Sequence, residues 1–152
     1  MRKEVFATVL SALLALSATV RAADHLQLNP KLDYNTDSQD GPLITGEHLG
    51  EGVVAGATNY VIIYAEACFN SKRQARRSVQ LYEQYKNRVH FVVVDLDQPR
   101  STAQQELTQK YYRGLIPHVV VLDRSGKPVY NDSGEVSSGQ LSRLFDKLLR
   151  NR

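Results

Sequence analysis

The stretch NYVIIYAEACFNS, residues 59–71, constrains the fold more than any other part of the chain. It joins an apolar run, Val61, Ile62, Ile63 and Tyr64, to the start of a helical pattern, and it holds the single cysteine, Cys68. An uninterrupted run of β-branched and aromatic residues suits a strand buried on both faces, as central parallel strands are. The helix follows almost at once, so Cys68 falls where open α/β sheets present reactive groups. Free amides and the positive end of the helix dipole favour a thiolate there. Lys72 and Arg73, set against Glu66, tilt the local charge the same way.

Residues 1–22 read as an export signal. Arg2 and Lys3 supply a basic start, residues 5–16 an apolar core too short for a membrane span, and Val20, Arg21 and Ala22 a small-residue cleavage pattern. The expected mature chain starts at Ala23, in the periplasm or outside the cell, without stable membrane association. Cleavage removes three bases and one acid, so the net charge falls from +3 to +1 and the basic isoelectric point says little about partners. No basic helix or aromatic-basic repeat marks a nucleic-acid surface. The remaining 130 residues suit a polar N-terminal extension or edge strand over 23–42 and one domain over 43–152. A lone cysteine in an exported chain is buried and inert, paired with another molecule, or free and reactive.

In the extension, Leu26, Leu28, Leu32 and Tyr34 form a short edge strand or strap between turn-forming residues. Thr45 is positioned to cap a short helix over 46–57, although four glycines lie in that span. Ala75, Val79, Tyr82 and Tyr85 recur at helical spacing and predict an amphipathic helix over about 70–85. Arg73, Arg76, Arg77 and Lys86 form either a solvated face or a guiding surface for an acidic partner. A strand over 89–96 ends at Asp95 and Asp97, which read as strand-end turn residues. Ser101 caps a helix to Tyr112, a hairpin follows over 118–130, and a last helix starts at Ser137 or Ser138. The order predicts a mixed central sheet with helices on both faces.

The strand, Cys68 opening a helix, the next strand ending in Asp95 and Asp97, and Gly114-Leu115-Ile116-Pro117 before the hairpin together resemble the thioredoxin family over residues 43–151. The resemblance implies an α/β thioredoxin-like fold, with Pro117 as the cis-proline beside the reactive thiol. It places backbone groups around Ile116 where an extended substrate can pair. Two departures restrict the chemistry. The tetrad is Cys68, Phe69, Asn70, Ser71, so serine stands at the resolving position and cannot displace a mixed disulfide. The acid that the family often buries under its dithiol falls on Ile62.

What the resemblance leaves is monothiol exchange or isomerisation through Cys68, with Ser71 as a hydrogen-bond donor to the thiolate and Pro117 beside it. Ile116, Phe69 and Tyr64 are candidate substrate contacts. The partners expected are protein thiols or disulfides and a small-molecule thiol. The alternative is a redox-inactive binding module of the same fold. His118 follows the proline and is a candidate base, unless strand alternation turns it elsewhere. His25, His48 and His90 lack metal-ligand spacing, and no glycine-rich phosphate loop occurs, so neither metal nor cofactor is expected. Oligomeric state is left open.

Overall fold

The computed structural model describes residues 22–150. The expected leader, up to Arg21, lies outside the described residues. The elements are β1 (Asp24–Leu28), β2 (Ile44–Glu47), β3 (Thr58–Tyr64), α1 (Phe69–Tyr85), β4 (Val89–Asp95), α2 (Thr102–Tyr111), β5 (His118–Leu122), β6 (Pro128–Ser133) and α3 (Ser138–Arg150).

The apolar run in β3 is the centre of a four-stranded sheet ordered β4-β3-β5-β6. β3 pairs in parallel with β4, Thr58 opposite Val89 and Tyr64 opposite Asp95. It pairs antiparallel with β5, Ile63 opposite His118. The parallel pair needs a crossover, which α1 supplies, whereas β5 and β6 are joined directly as a hairpin. Alternation along β3 divides the core. Tyr60, Ile62 and Tyr64 face the layer of α1 and α3, while Val61 and Ile63 face Leu107 and Tyr111 of α2. Helices thus cover both faces, as the sequence pattern predicts.

The larger layer is aromatic. Phe91 stacks at an angle with Tyr60, ring centres 5.2 Å apart, and Phe145 of α3 meets Tyr85 of α1 edge-on at 5.1 Å. Truncating Phe145, which is fully buried, costs about 3–5 kcal/mol by transfer and cavity terms. In α2 the cap is reciprocal. The Ser101 hydroxyl accepts from the Gln104 amide, and the Gln104 side chain accepts from the Ser101 amide.

The helix expected over 46–57 does not form. Ile44–Glu47 instead pairs antiparallel with β1 in a separate two-stranded sheet. Gly46 explains part of this, because a Cβ there would lie 2.7 Å from the Asp24 carbonyl oxygen. Thr45 directs its hydroxyl across the pair to the Gln27 carbonyl rather than capping. Four glycines, each costing about 1 kcal/mol in a helix, leave the rest as loop. The extension is thereby tied to the domain, with the Tyr34 hydroxyl donating to the Leu43 carbonyl at 2.6 Å. β6 also runs three residues beyond its expected end at Tyr130, because His118 and Val119 pair with Ser133 and Asp132.

Candidate functional site

The candidate site lies at the C-terminal edge of β3. Cys68 is the N-cap of α1, free and half-buried, with extended backbone. Its carbonyl accepts the Lys72 amide at 3.0 Å, which closes the first turn. The antiparallel register puts the start of β5, and hence Pro117, at the same sheet edge as the end of β3. The Ile116-Pro117 peptide is cis. Topology therefore gathers Cys68, Ser71 and Pro117 at one end of the sheet. The Pro117 carbonyl is occupied by the Gly134 amide at 2.7 Å. Ile116 and Phe69 are half-buried, and Leu115, not singled out in the sequence, is 67% exposed beside them.

Several expected contacts differ. Tyr64 is fully buried and contributes packing rather than a substrate contact, because even-numbered residues of β3 point under α1. Its hydroxyl accepts from the Ile44 amide at 3.3 Å. The Ser71 hydroxyl is buried, and among the described residues it has no hydrogen-bond partner, so the expected bond to Cys68 is not made. His118 faces away from α1. Its ring contacts the Ser133 hydroxyl at 2.9 Å and Asn131 Oδ1 at 2.7 Å, which places it in a polar cluster of the hairpin rather than beside the thiol.

The charges near α1 are engaged elsewhere. Lys72 is 1% exposed, and its ammonium donates to the carbonyls of Asp33 and Ser38 at 2.7 and 2.8 Å and to the Ser38 hydroxyl. Arg73 and Arg77 both meet Glu135, and Arg76 meets Asn35 and lies over the Tyr34 ring. Lys86 pairs with Glu83. Arg73 and Lys86 remain exposed and Arg76 and Arg77 half-buried, so these four lie on a solvated face whose charges are met by neighbouring side chains. The first amide of α1 is also taken, since Phe69 N–H donates to Asp37 Oδ1 at 2.7 Å. A strap over 29–42 therefore folds across the opening of the helix, its carboxylate standing where a thiolate gains most from the dipole.

Asp95 and Asp97 read in the sequence as strand-end turn residues. Asp97 fits that reading, with Oδ2 accepting the Glu66 amide at 2.7 Å. Asp95 does not. It is 8% exposed and Glu66 is 3% exposed. Burial pushes the Asp95 carboxyl up to about 7; the Asp97 amide opposes this and the neighbouring Glu66 charge adds to it. Burial, then the same carboxylate, raises Tyr64 well above the usual phenol range. Gln98 holds Glu66 Oε1 at 2.7 Å. Ile62 leaves the usual acid position apolar, yet an acid pair lies at the same end of the sheet. Its sequence signal was an aspartate closing an otherwise apolar strand, set against Glu66 only by the parallel register.

No family model matches the chain. Thioredoxin-like protein HCF164, chloroplastic, from Arabidopsis thaliana is 31% identical over 131 residues, which is 85% of this chain and 46% of that protein. Its namesake from Oryza sativa subsp. japonica is 30% identical over 136 residues, 90% of this chain and 48% of that one. The chain spans about half the length of these relatives. Among solved structures, thioredoxin-2, described as a component of malaria parasite protein secretion machinery, superposes with a TM-score of 0.51 at 22% identity, covering 60% of this chain and 82% of that one. A second malarial protein gives 0.51 at 22% identity over 61% of this chain and 98% of its own. Both likenesses concern the fold.

Proposed function

Because the chain belongs to the thioredoxin-like family, we propose that it performs thiol–disulfide exchange outside the cytoplasm through the one thiol of Cys68. The observation that carries this reading is the half-buried, unpaired Cys68 at the N-cap of α1, with a serine one turn on. The Cys68 thiolate attacks one sulfur of a partner disulfide, forming a mixed disulfide and releasing the partner's other sulfur as a thiolate. A second thiolate, from the same partner or a small-molecule thiol, then attacks the mixed disulfide and restores Cys68. The first route isomerises with no net redox change; the second leaves the partner joined to the small-molecule thiol, and a further small-molecule thiol releases it as the small-molecule disulfide forms, so the partner is reduced as two external thiols are oxidised. Ser71 takes no part in either displacement. An extended client segment pairs with the Ile116 backbone, and Leu115, Ile116 and Phe69 give it apolar contact. Export rests on residues 1–22, and the domain proper on 43–152.

Incubation of the mature chain with oxidised glutathione tests this directly. A single glutathione adduct on Cys68, removed by added thiol and absent in Cys68→Ser, is expected; no adduct on the folded protein would reject it. The second reading, a binding module without redox turnover, is favoured by one observation: the Asp37 carboxylate already occupies the first amide of α1. In that case the client would bind equally to Cys68→Ser.

A further inference from the structure

A cavity of about 560 Å³ opens at the end of the sheet away from Cys68, where Asn59 of β3 stands opposite Leu122 of β5. Its walls are the loop over 51–56, the face of α2 carrying Ala103, Leu107 and Tyr111, and the turn over 124–126. The loop wall is firmly built. Asn59, 2% exposed, accepts the Val54 amide at 2.8 Å and donates to the Val54 and Ala57 carbonyls at 2.9 Å. Gly52 lets the loop close on α2, since a Cβ there would lie 2.8 Å from the Ala103 Cβ. Within these walls the Tyr111 hydroxyl is unspent. Its side chain is 4% exposed, yet the hydroxyl makes no hydrogen bond among the described residues and does not belong to the unpartnered oxygens sealed from solvent, which are those of Thr58, Ser71 and Asp95. It is therefore reached through the cavity that Tyr111 lines.

Charge decides what such a cavity takes. Four charged side chains line it, Glu51, Glu106, Lys110 and Arg124. Glu106 and Lys110 stand four residues apart on α2, where opposite charges offset each other. Glu51 lies on the β4 side, next to Gly52, whose carbonyl meets His90 Nε2 at 2.8 Å. Arg124 lies on the β5 side, in the turn after that strand. Because β4 and β5 flank β3, two strand spacings of about 10 Å in all separate the acid from the base. Arg124 makes no ion pair or hydrogen bond among the described residues. The adjoining carboxylate, Asp123, is spent on the Ser125 and Lys127 amides and the Ser125 hydroxyl. The β5 end is thus basic and the β4 end acidic, in a cavity otherwise lined by Val53, Val54, Leu107 and Leu122. A single anionic head on an apolar body matches this division, whereas a second carboxylate would meet Glu51. The volume lies within the range of ligand pockets. We infer that this cavity binds a small monocarboxylate, its head on the Arg124 guanidinium and the Tyr111 hydroxyl and its apolar body against Val53, Leu107 and Leu122. The site stands apart from the thiol and does not depend on disulfide exchange.

The test uses sodium hexanoate as probe, at about pH 7 where its carboxyl is ionised, and hexanamide as the neutral counterpart. The readout is the NMR signal of the Asn59 side-chain amide in the loop wall. Saturable shifts with hexanoate at concentrations up to about 10 mM are expected. The affinity should fall at least about threefold in Arg124→Gln, an exposed position, and likewise in Tyr111→Phe. Absence of saturable shifts in the unmodified protein would overturn the inference without bearing on disulfide exchange. So would equal shifts with hexanamide, or unchanged affinity in either folded variant.

Discussion

Replacing Asp95 by asparagine removes a charge that the fold holds out of water. The sign follows from proton binding. The carboxyl titrates at an ordinary 3.8 in the unfolded chain and at about 7 in the folded one. Below about 4 both states carry the proton and nothing is lost. As the pH rises towards 7 the unfolded chain ionises first, so stability falls, and above about 7 the loss is complete. A tenfold change in proton affinity corresponds to about 1.4 kcal/mol, which sets a ceiling of about 4 kcal/mol. Asp95 stays 8% exposed and solvent screens part of it, so about 2 kcal/mol is a reasonable magnitude. Asparagine keeps the shape, cannot ionise, and offers an N–H to Glu66. Urea unfolding of both proteins from pH 5 to pH 8.5 provides the assay, with their difference cancelling the histidines and other common groups. Asp95→Asn should gain about 1 kcal/mol on the original chain between the two ends, the part of the loss that falls above pH 5, most of it before pH 7.5. A pH-independent difference would refute the reasoning, as would a loss of stability that grows with pH.

Asp37→Ala should free the first amide of α1 for the thiolate, so Cys68 alkylates faster than in the original chain while stability falls by about 1 kcal/mol from the lost cap; stopped labelling with iodoacetamide reads the rate. Ser71→Cys fits a position where the hydroxyl makes no bond, and it supplies the missing resolving thiol. The variant should form an internal disulfide, and its glutathione adduct should decay at least about tenfold faster than that of the original chain, as followed by mass spectrometry.

The elements that could be read in the sequence were those whose own residues decide them. The run Val61 to Tyr64 is a strand wherever it lies, and Ser101 with its later apolar positions specifies a capped helix. Cys68 was placed correctly at the N-cap because strand and helix meet within a few residues. What escaped depends on partners far away in the chain. Asp37 and Phe69 are 32 residues apart, and Lys72 reaches carbonyls 34 and 39 residues before it. The Asp95–Glu66 pair exists only because β3 and β4 run parallel with Tyr64 opposite Asp95. The missing helix over 46–57 failed for a related reason, since Gly46 lies against β1 and propensity yields to strand pairing.

Reactivity of the folded thiol decides between exchange and binding. The mature protein and a free-cysteine control would be alkylated side by side at neutral pH, with Cys68→Ser as the blank and circular dichroism recorded on the same samples. A folded protein whose Cys68 labels faster than the control is the expected result, consistent with a half-buried N-cap thiol open to a partner disulfide. A thiol that labels only after denaturation would contradict disulfide exchange and leave the chain as a binding module.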